Sequence, residues 1–125
     1  MHELSAHQIA AQVRGRRVSA VRVMEHFLDR TARLEPMLNT YAVLDAEGAL
    51  AAAHEIDRRI AAGEHPGPLA GVPVSVKDLI AVGGLKQAFG SRLFADNVAA
   101  QDAPSVERVR RAGGCIVGKT DRKSV

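Results

Sequence analysis

Twelve residues near the middle of the chain, Gly67-Pro68-Leu69-Ala70-Gly71-Val72-Pro73-Val74-Ser75-Val76-Lys77-Asp78, limit its fold more than any other stretch. Gly63, Pro66, Gly67, Pro68 and Gly71 break any helix, so the chain must be loop from 63 to 71. The apolar run Val72 to Val76 then predicts a strand, and it ends on a charge, Lys77. The chain is thereby divided into a first part of about 1–63, whose apolar residues recur at helical spacing, and a second part of about 64–125 containing the strand.

In the first part, Ser5 with Gln8 three residues on matches a capping box, and Leu4 with Ile9 matches a hydrophobic staple, predicting a helix that Gly15 stops. Val18 and Ser19 repeat the arrangement against Val23. The second helix they open carries Val23, Phe27, Thr31 and Leu34 on one face, and Pro36 is expected to end it. Tyr41 to Leu44 is a short β-prone run, and Ala49, Ala53, Ile56 and Ile60 place a third helix over 46–62, closed by Gly63. In the second part, 80–100 carries no clear element. Asp102 is expected to cap a fourth helix with Pro104 in its first turn and Val106, Val109 and Ala112 inward. Gly113 and Gly114 stop that helix, and Cys115 to Val117 read as a short buried strand. Strand, helix and strand in that order predict a parallel α/β unit, giving an α/β fold with an N-terminal helical layer on a mixed, partly parallel sheet.

Composition excludes several classes. The 125 residues have room for one core, and 46% hydrophobic with 25% charged residues is a globular balance. No apolar run approaches the roughly 20 residues of a membrane helix, and the chain opens polar, without a basic-then-apolar leader, so no membrane association and a cytoplasmic location are expected. Cys115, the single cysteine, has no partner for a disulfide within the chain. The 13 arginines and four lysines are scattered with few aromatic residues, which argues against a nucleic-acid surface. The five histidines form no His-Glu-x-x-His pattern, so neither a metal nor a cofactor is expected. The pairs Arg16-Arg17, Arg58-Arg59 and Arg110-Arg111 suit helix ends and exposed faces.

A lysine closing an apolar strand, in a chain with only four lysines, requires a reason. Burial disfavours an ammonium ion and so turns a strand lysine into a general base near neutral pH. The plainer reading, favoured by the physics alone, is a strand-end lysine whose stem packs on the core while its head reaches water. Ser75 shares a face of the strand with Lys77, so a local serine-lysine dyad is a third reading, though such a site would still need oxyanion donors.

The segment resembles the first half of the amidase signature family, whose members carry Gly-Pro-Leu-x-Gly-Val/Ile-Pro-x-x-Val/Ile-Lys-Asp, and it matches at each fixed position. Gly90-Ser91, the run from Ala99 to Pro104, and the run from Arg110 to Thr120 are similar to successive family blocks in the same order. The N-terminal helices, with Pro36 and Asn39 before Tyr41, resemble the family's leading helices more weakly. The resemblance implies an incomplete amidase-signature fold and a hydrolase acting on a small-molecule amide. It also implies a triad of strand lysine, bridging serine on a cis peptide bond and nucleophilic serine. Lys77 falls on the catalytic lysine, and Asp78, Gly90 and Ser91 on the supporting active-site loop. By the family's mechanism Lys77 takes the nucleophile's proton through the bridging serine, and backbone N–H groups hold the oxyanion.

Both family serines lie downstream of the Gly-Lys-Thr block, and Asp121 to Val125 lack the Asn-x-x-Glu-Phe ending found there, so a truncation or frame change and an inactive isolated chain are expected. Self-association through unpaired strands is expected as well. Two further readings stay open: a non-catalytic remnant or interaction module, and a nucleotide binder. The second rests on Gly113, Gly118, Lys119 and Thr120, which satisfy the phosphate-loop pattern, although a helix precedes Gly113 and strand-type residues fill the supposed loop. Lys119 is therefore expected at a strand end, in a block that the resemblance makes structural.

Overall fold

Ser5 and Gln8 open the first helix by exchanging bonds: the Ser5 hydroxyl accepts from the Gln8 amide at 3.1 Å and the Gln8 side chain from the Ser5 amide at 2.8 Å. The structure, a computed structural model, describes residues 1–87, 93 and 96–121. Helix α1 (Ala6–Arg14) ends at Gly15, α2 (Ala20–Leu38) starts from the Ser19 cap, and α3 (Ala46–Ala61) starts from Asp45, whose carboxylate accepts from the Gly48 amide at 3.1 Å. A second carboxylate reaches the start of α2 from another helix. Asp57 of α3 accepts from the Ala20 and Val21 amides at 2.7 and 3.1 Å.

Pro36 does not end α2. In the last turn a proline forfeits mainly the bond its own nitrogen would have donated, and the helix runs on to Leu38. The stop is Asn39, in the left-handed conformation at φ 50° and ψ 52°, which asparagine tolerates, with its N–H on the Glu35 carbonyl at 2.8 Å. The Glu35 carboxylate then accepts from the amides of Thr40 and Tyr41, turning the chain into strand β1 (Tyr41–Leu44).

Three strands form one sheet in the order β1-β3-β2, with β2 at Pro73–Lys77 and β3 at Cys115–Thr120. The central β3 pairs antiparallel with β1 and parallel with β2, as a β2, helix, β3 unit requires. That helix, α4, is Pro104–Arg111. Its cap position is Ala103 rather than Asp102, and no side chain caps it. The Asp102 carboxylate instead accepts from the Gly83 amide at 2.8 Å and pairs with Arg110 at 2.9 Å, tying the preceding loop to the helix. Strand β3 runs three residues beyond Val117, to Thr120.

The helices bury Ile9, Ala10, Val13, Val23, Met24, Ala49, Ala53 and Ile56 together with Cys115 and Val117 of β3. On the other face Val76 and Ile116 pack with Val82 and Val106, so the sheet lies between the helical layer and α4. The glycines of the central segment permit the close approach that aligns the parallel strands. Gly67 has φ +119°, and a Cβ there would lie 2.4 Å from the Ala112 carbonyl oxygen; Gly113 has φ +94°, and a Cβ there would lie 2.8 Å from the Pro66 oxygen. Leu69 and Gly71 donate to the Ala112 and Gly113 carbonyls at 2.7 and 3.0 Å, and Cys115 donates to Val72 at 2.9 Å. Among the described residues no helix is long and apolar enough to cross a membrane.

Candidate active site

Lys77 is the last residue of β2, on an outer strand of the sheet, and its side chain is exposed. The register sets it beside Thr120. The described residues thus do not enclose its side chain. An open groove of about 180 Å³ runs beside it along β2, walled by Val106 and Val109 of α4. Ser75 shares the exposed side of the strand with Lys77, and the Tyr41 phenol of β1 comes near its hydroxyl from across the central strand. Burial raises the Tyr41 phenol above its ordinary value and the Glu35 carboxylate adds to the rise, while the Ser75 hydrogen bond opposes both.

The chain turns sharply after Lys77. Ile80 N–H bonds the Lys77 carbonyl at 2.9 Å, Asp78 N–H bonds the Thr120 carbonyl at 3.0 Å, and the Gln87 side chain donates to the Leu79 carbonyl at 3.0 Å. Asp78 is 5% exposed, although its neighbour Lys77 stands in solvent. Into this turn comes Lys119, the largest fully buried side chain among the described residues, at 0% exposure. Its Nζ donates to the Asp78 main-chain oxygen at 2.9 Å and lies 3.9 Å from the Asp78 carboxylate. Burial lowers the Lys119 ammonium below its ordinary value, and the Asp78 charge opposes that shift.

Strand β3 occupies the supposed phosphate loop and Lys119 has no surface to offer a phosphate, so the Gly113 to Thr120 pattern does not form a nucleotide site. Of the residues singled out by sequence, Lys77 and Asp78 stand together at the end of β2, whereas Gly90 and Ser91 lie outside the described residues. The contact of Lys119 with Asp78 was not anticipated. Its signal was nonetheless in the sequence, because Lys119 closes a second apolar run just as Lys77 closes the first.

Helices layered on a mixed sheet, with a lysine and an aspartate closing the strand that follows a Gly-Pro loop, define an α/β unit with Lys77 at one edge of its sheet. The sequence model of the family described as Amidase matches residues 22–124, and the chain belongs to that family, the amidase signature enzymes. It is 41% identical over 117 residues to one of the subunits of the glutamyl-tRNA(Gln) amidotransferase of Acidothermus cellulolyticus, a match covering 94% of this chain and 23% of that protein. It is 40% identical over 121 residues to an acylamidase of Rhodococcus erythropolis, covering 97% of this chain and 25% of that one. The solved structure of a bacterial aryl acylamidase of the amidase signature family superposes with a TM-score of 0.88 at 28% identity, over 94% of this chain and 25% of that chain. The chain thus spans about a quarter of the length of the relatives it matches.

Proposed function

We propose that residues 1–125 are the N-terminal part of one amidase-signature domain, and that the complete protein is a carbon–nitrogen hydrolase cleaving a small carboxamide through a serine acyl-enzyme. Lys77 is its base. The observation that carries this reading is the position of Lys77: a lysine in the family's motif, closing β2 at a sheet edge open to further chain. In this mechanism Lys77 accepts the nucleophilic serine's proton by way of a bridging serine, and the serine oxygen attacks the amide carbon. Backbone N–H groups hold the resulting oxyanion. The proton then passes to the leaving nitrogen as the carbon–nitrogen bond breaks, and water releases the acyl group. Both serines come from chain outside these 125 residues, which alone are inactive. A cytoplasmic location belongs to the same reading.

A second reading, catalytic subunit of an amidotransferase, is favoured by the 41% identity to a protein of such an enzyme. With an acylated acceptor present, release of the leaving nitrogen to solution as ammonia or amine, one per amide cleaved, supports the hydrolase; nitrogen delivered to the acceptor supports the transferase. For either, Lys77→Ala in the complete protein is expected to lower kcat by about 10² to 10⁴-fold without unfolding it, because Lys77 belongs to neither apolar cluster. Lys77→Arg is expected to be nearly as damaging, since a guanidinium keeps its proton at any working pH. A Lys77→Arg enzyme retaining most of its kcat would remove Lys77 from the chemistry.

A further inference from the structure

A fully buried lysine is rare, and holding one costs folding free energy that a well-packed apolar side chain of similar volume does not. Lys119 is such a lysine, and neither nucleotide binding nor core packing accounts for its charge. Among the described residues its polar contacts go to Asp78, the neighbour of Lys77. They close a frame. Val76 and Lys77 pair with Lys119 and Thr120 along the parallel ladder, the Asp78 N–H bonds Thr120, and the Asp78 carbonyl is held by the Lys119 ammonium. The peptide on each side of Asp78 is therefore fixed by β3, and the Lys77 main chain can neither twist nor slide along the strand without breaking that frame.

We propose that Lys119 is a positioning residue for the base: its ammonium clamps the main chain at Asp78, and the clamp aims Lys77 from the end of β2. This rests on the reading of Lys77 as base. An ammonium suits the task because three donors on one nitrogen can serve the main-chain oxygen while facing the carboxylate, whereas an apolar replacement would leave both groups buried without their partner. Burial lowers the ammonium below its ordinary value, and the Asp78 carboxylate opposes that shift. An error of about 1 Å in the placement of a reacting group lowers a rate by on the order of 10²-fold, so a clamp on the next peptide is enough to matter.

The test uses the complete enzyme and an amide substrate, with the active fraction of each preparation counted by a serine-acylating fluorophosphonate. Lys119→Met is expected to lower kcat per titrated site by roughly 10- to 100-fold while KM changes by less than about 3-fold. A purely structural role would reduce the titrated fraction and leave kcat per site alone. Because Lys119→Met strands a buried carboxylate, the double variant Lys119→Met/Asp78→Asn is made alongside it. It removes the stranded charge and is expected to fold yet keep the low kcat. Wild-type kcat per site in either variant overturns the proposal, as does failure of both to fold, which would assign Lys119 to stability. Lys77→Ala run in parallel separates the two levels: if Lys77→Ala stays active the reading of the base fails, whereas an inactive Lys77→Ala beside a fully active Lys119→Met overturns the clamp alone.

Discussion

Cys115, at the start of β3, shows how far burial alone can change one group. The thiol is fully buried between the helical layer and the sheet, and burial pushes it up to about 11 from an ordinary 9.0; the Asp57 carboxylate adds to the rise and Arg110 opposes it. Between pH 9 and 11 the unfolded chain has lost this proton and the folded chain still holds it. The stability this group contributes is therefore fully present below pH 9 and is lost as the pH rises through the folded value, a change on the order of 3 kcal/mol. Lys119 acts in the opposite sense. Its folded value is lowered, so the unfolded chain binds more protons and this contribution grows as the pH rises toward the ordinary lysine value. Comparing denaturant unfolding of the wild type and Cys115→Ala at several pH values cancels the lysine. The variant is expected to be less stable at pH 7, through lost packing, and to lose less stability than the wild type between pH 9 and 11. Equal alkaline losses would show that the thiol does not titrate with folding.

At the scale of elements, caps decide where the helices start and which of them are joined. Asp57 couples α3 to α2 by accepting from two amides that Ser19 does not reach, since Ser19 bonds Arg22. A charged acceptor for two helix-start amides exceeds an ordinary cap, so Asp57→Ala is expected to cost about 2 kcal/mol, and Ser19→Ala about 1 kcal/mol, in chemical denaturation. A smaller effect at Asp57 than at Ser19 would place the junction elsewhere. The same contrast explains what the residues disclosed in advance. Ser5 with Gln8, Ser19 and Gly63 act within a few residues of themselves, and their helix ends were legible. Pro36 and Asp102 misled because each has a local preference that a more distant partner overrides. Glu35 with Asn39 supplies a later stop, and Gly83 with Arg110 recruits the carboxylate from its expected cap. The site divides in the same way. Lys77 at a strand end was legible from one motif, whereas Lys119 meets Asp78 across 41 residues and its neighbours in sequence imitate a phosphate loop. The glycine of β3 has a steric rather than a phosphate-binding reason: a Cβ on Gly118 would stand 2.2 Å from the Val43 carbonyl oxygen. Gly118→Ala is therefore expected to separate β1 from β3 and lower the thermal midpoint, and an unchanged midpoint would count against that contact.

For the whole molecule, the decisive fact is that β3 is paired on both sides while, among the described residues, β1 and β2 each keep one edge unpaired. A free edge with apolar side chains nearby recruits another strand. Leu79 and Ile80 stand 43% and 37% exposed directly after β2, and the groove between β2 and α4 adds Val74 and Val109. Relatives about four times as long have ample chain to cover such an edge; an isolated chain of 125 residues has only copies of itself. The isolated chain is therefore expected to show concentration-dependent association in sedimentation velocity at micromolar levels. Ile80→Lys, which puts a charge beside the free edge without touching the core, is expected to shift it toward monomer. The complete protein, in this reading, buries the edge by itself, so its association state should not depend on whether residue 80 carries the charge at the surface of β2, and Ile80→Lys should instead weaken its folding. A wild-type chain that stays monomeric at every concentration would mean that β2 needs no neighbour, and Lys77 would then stand on a finished surface with no wall to enclose a substrate.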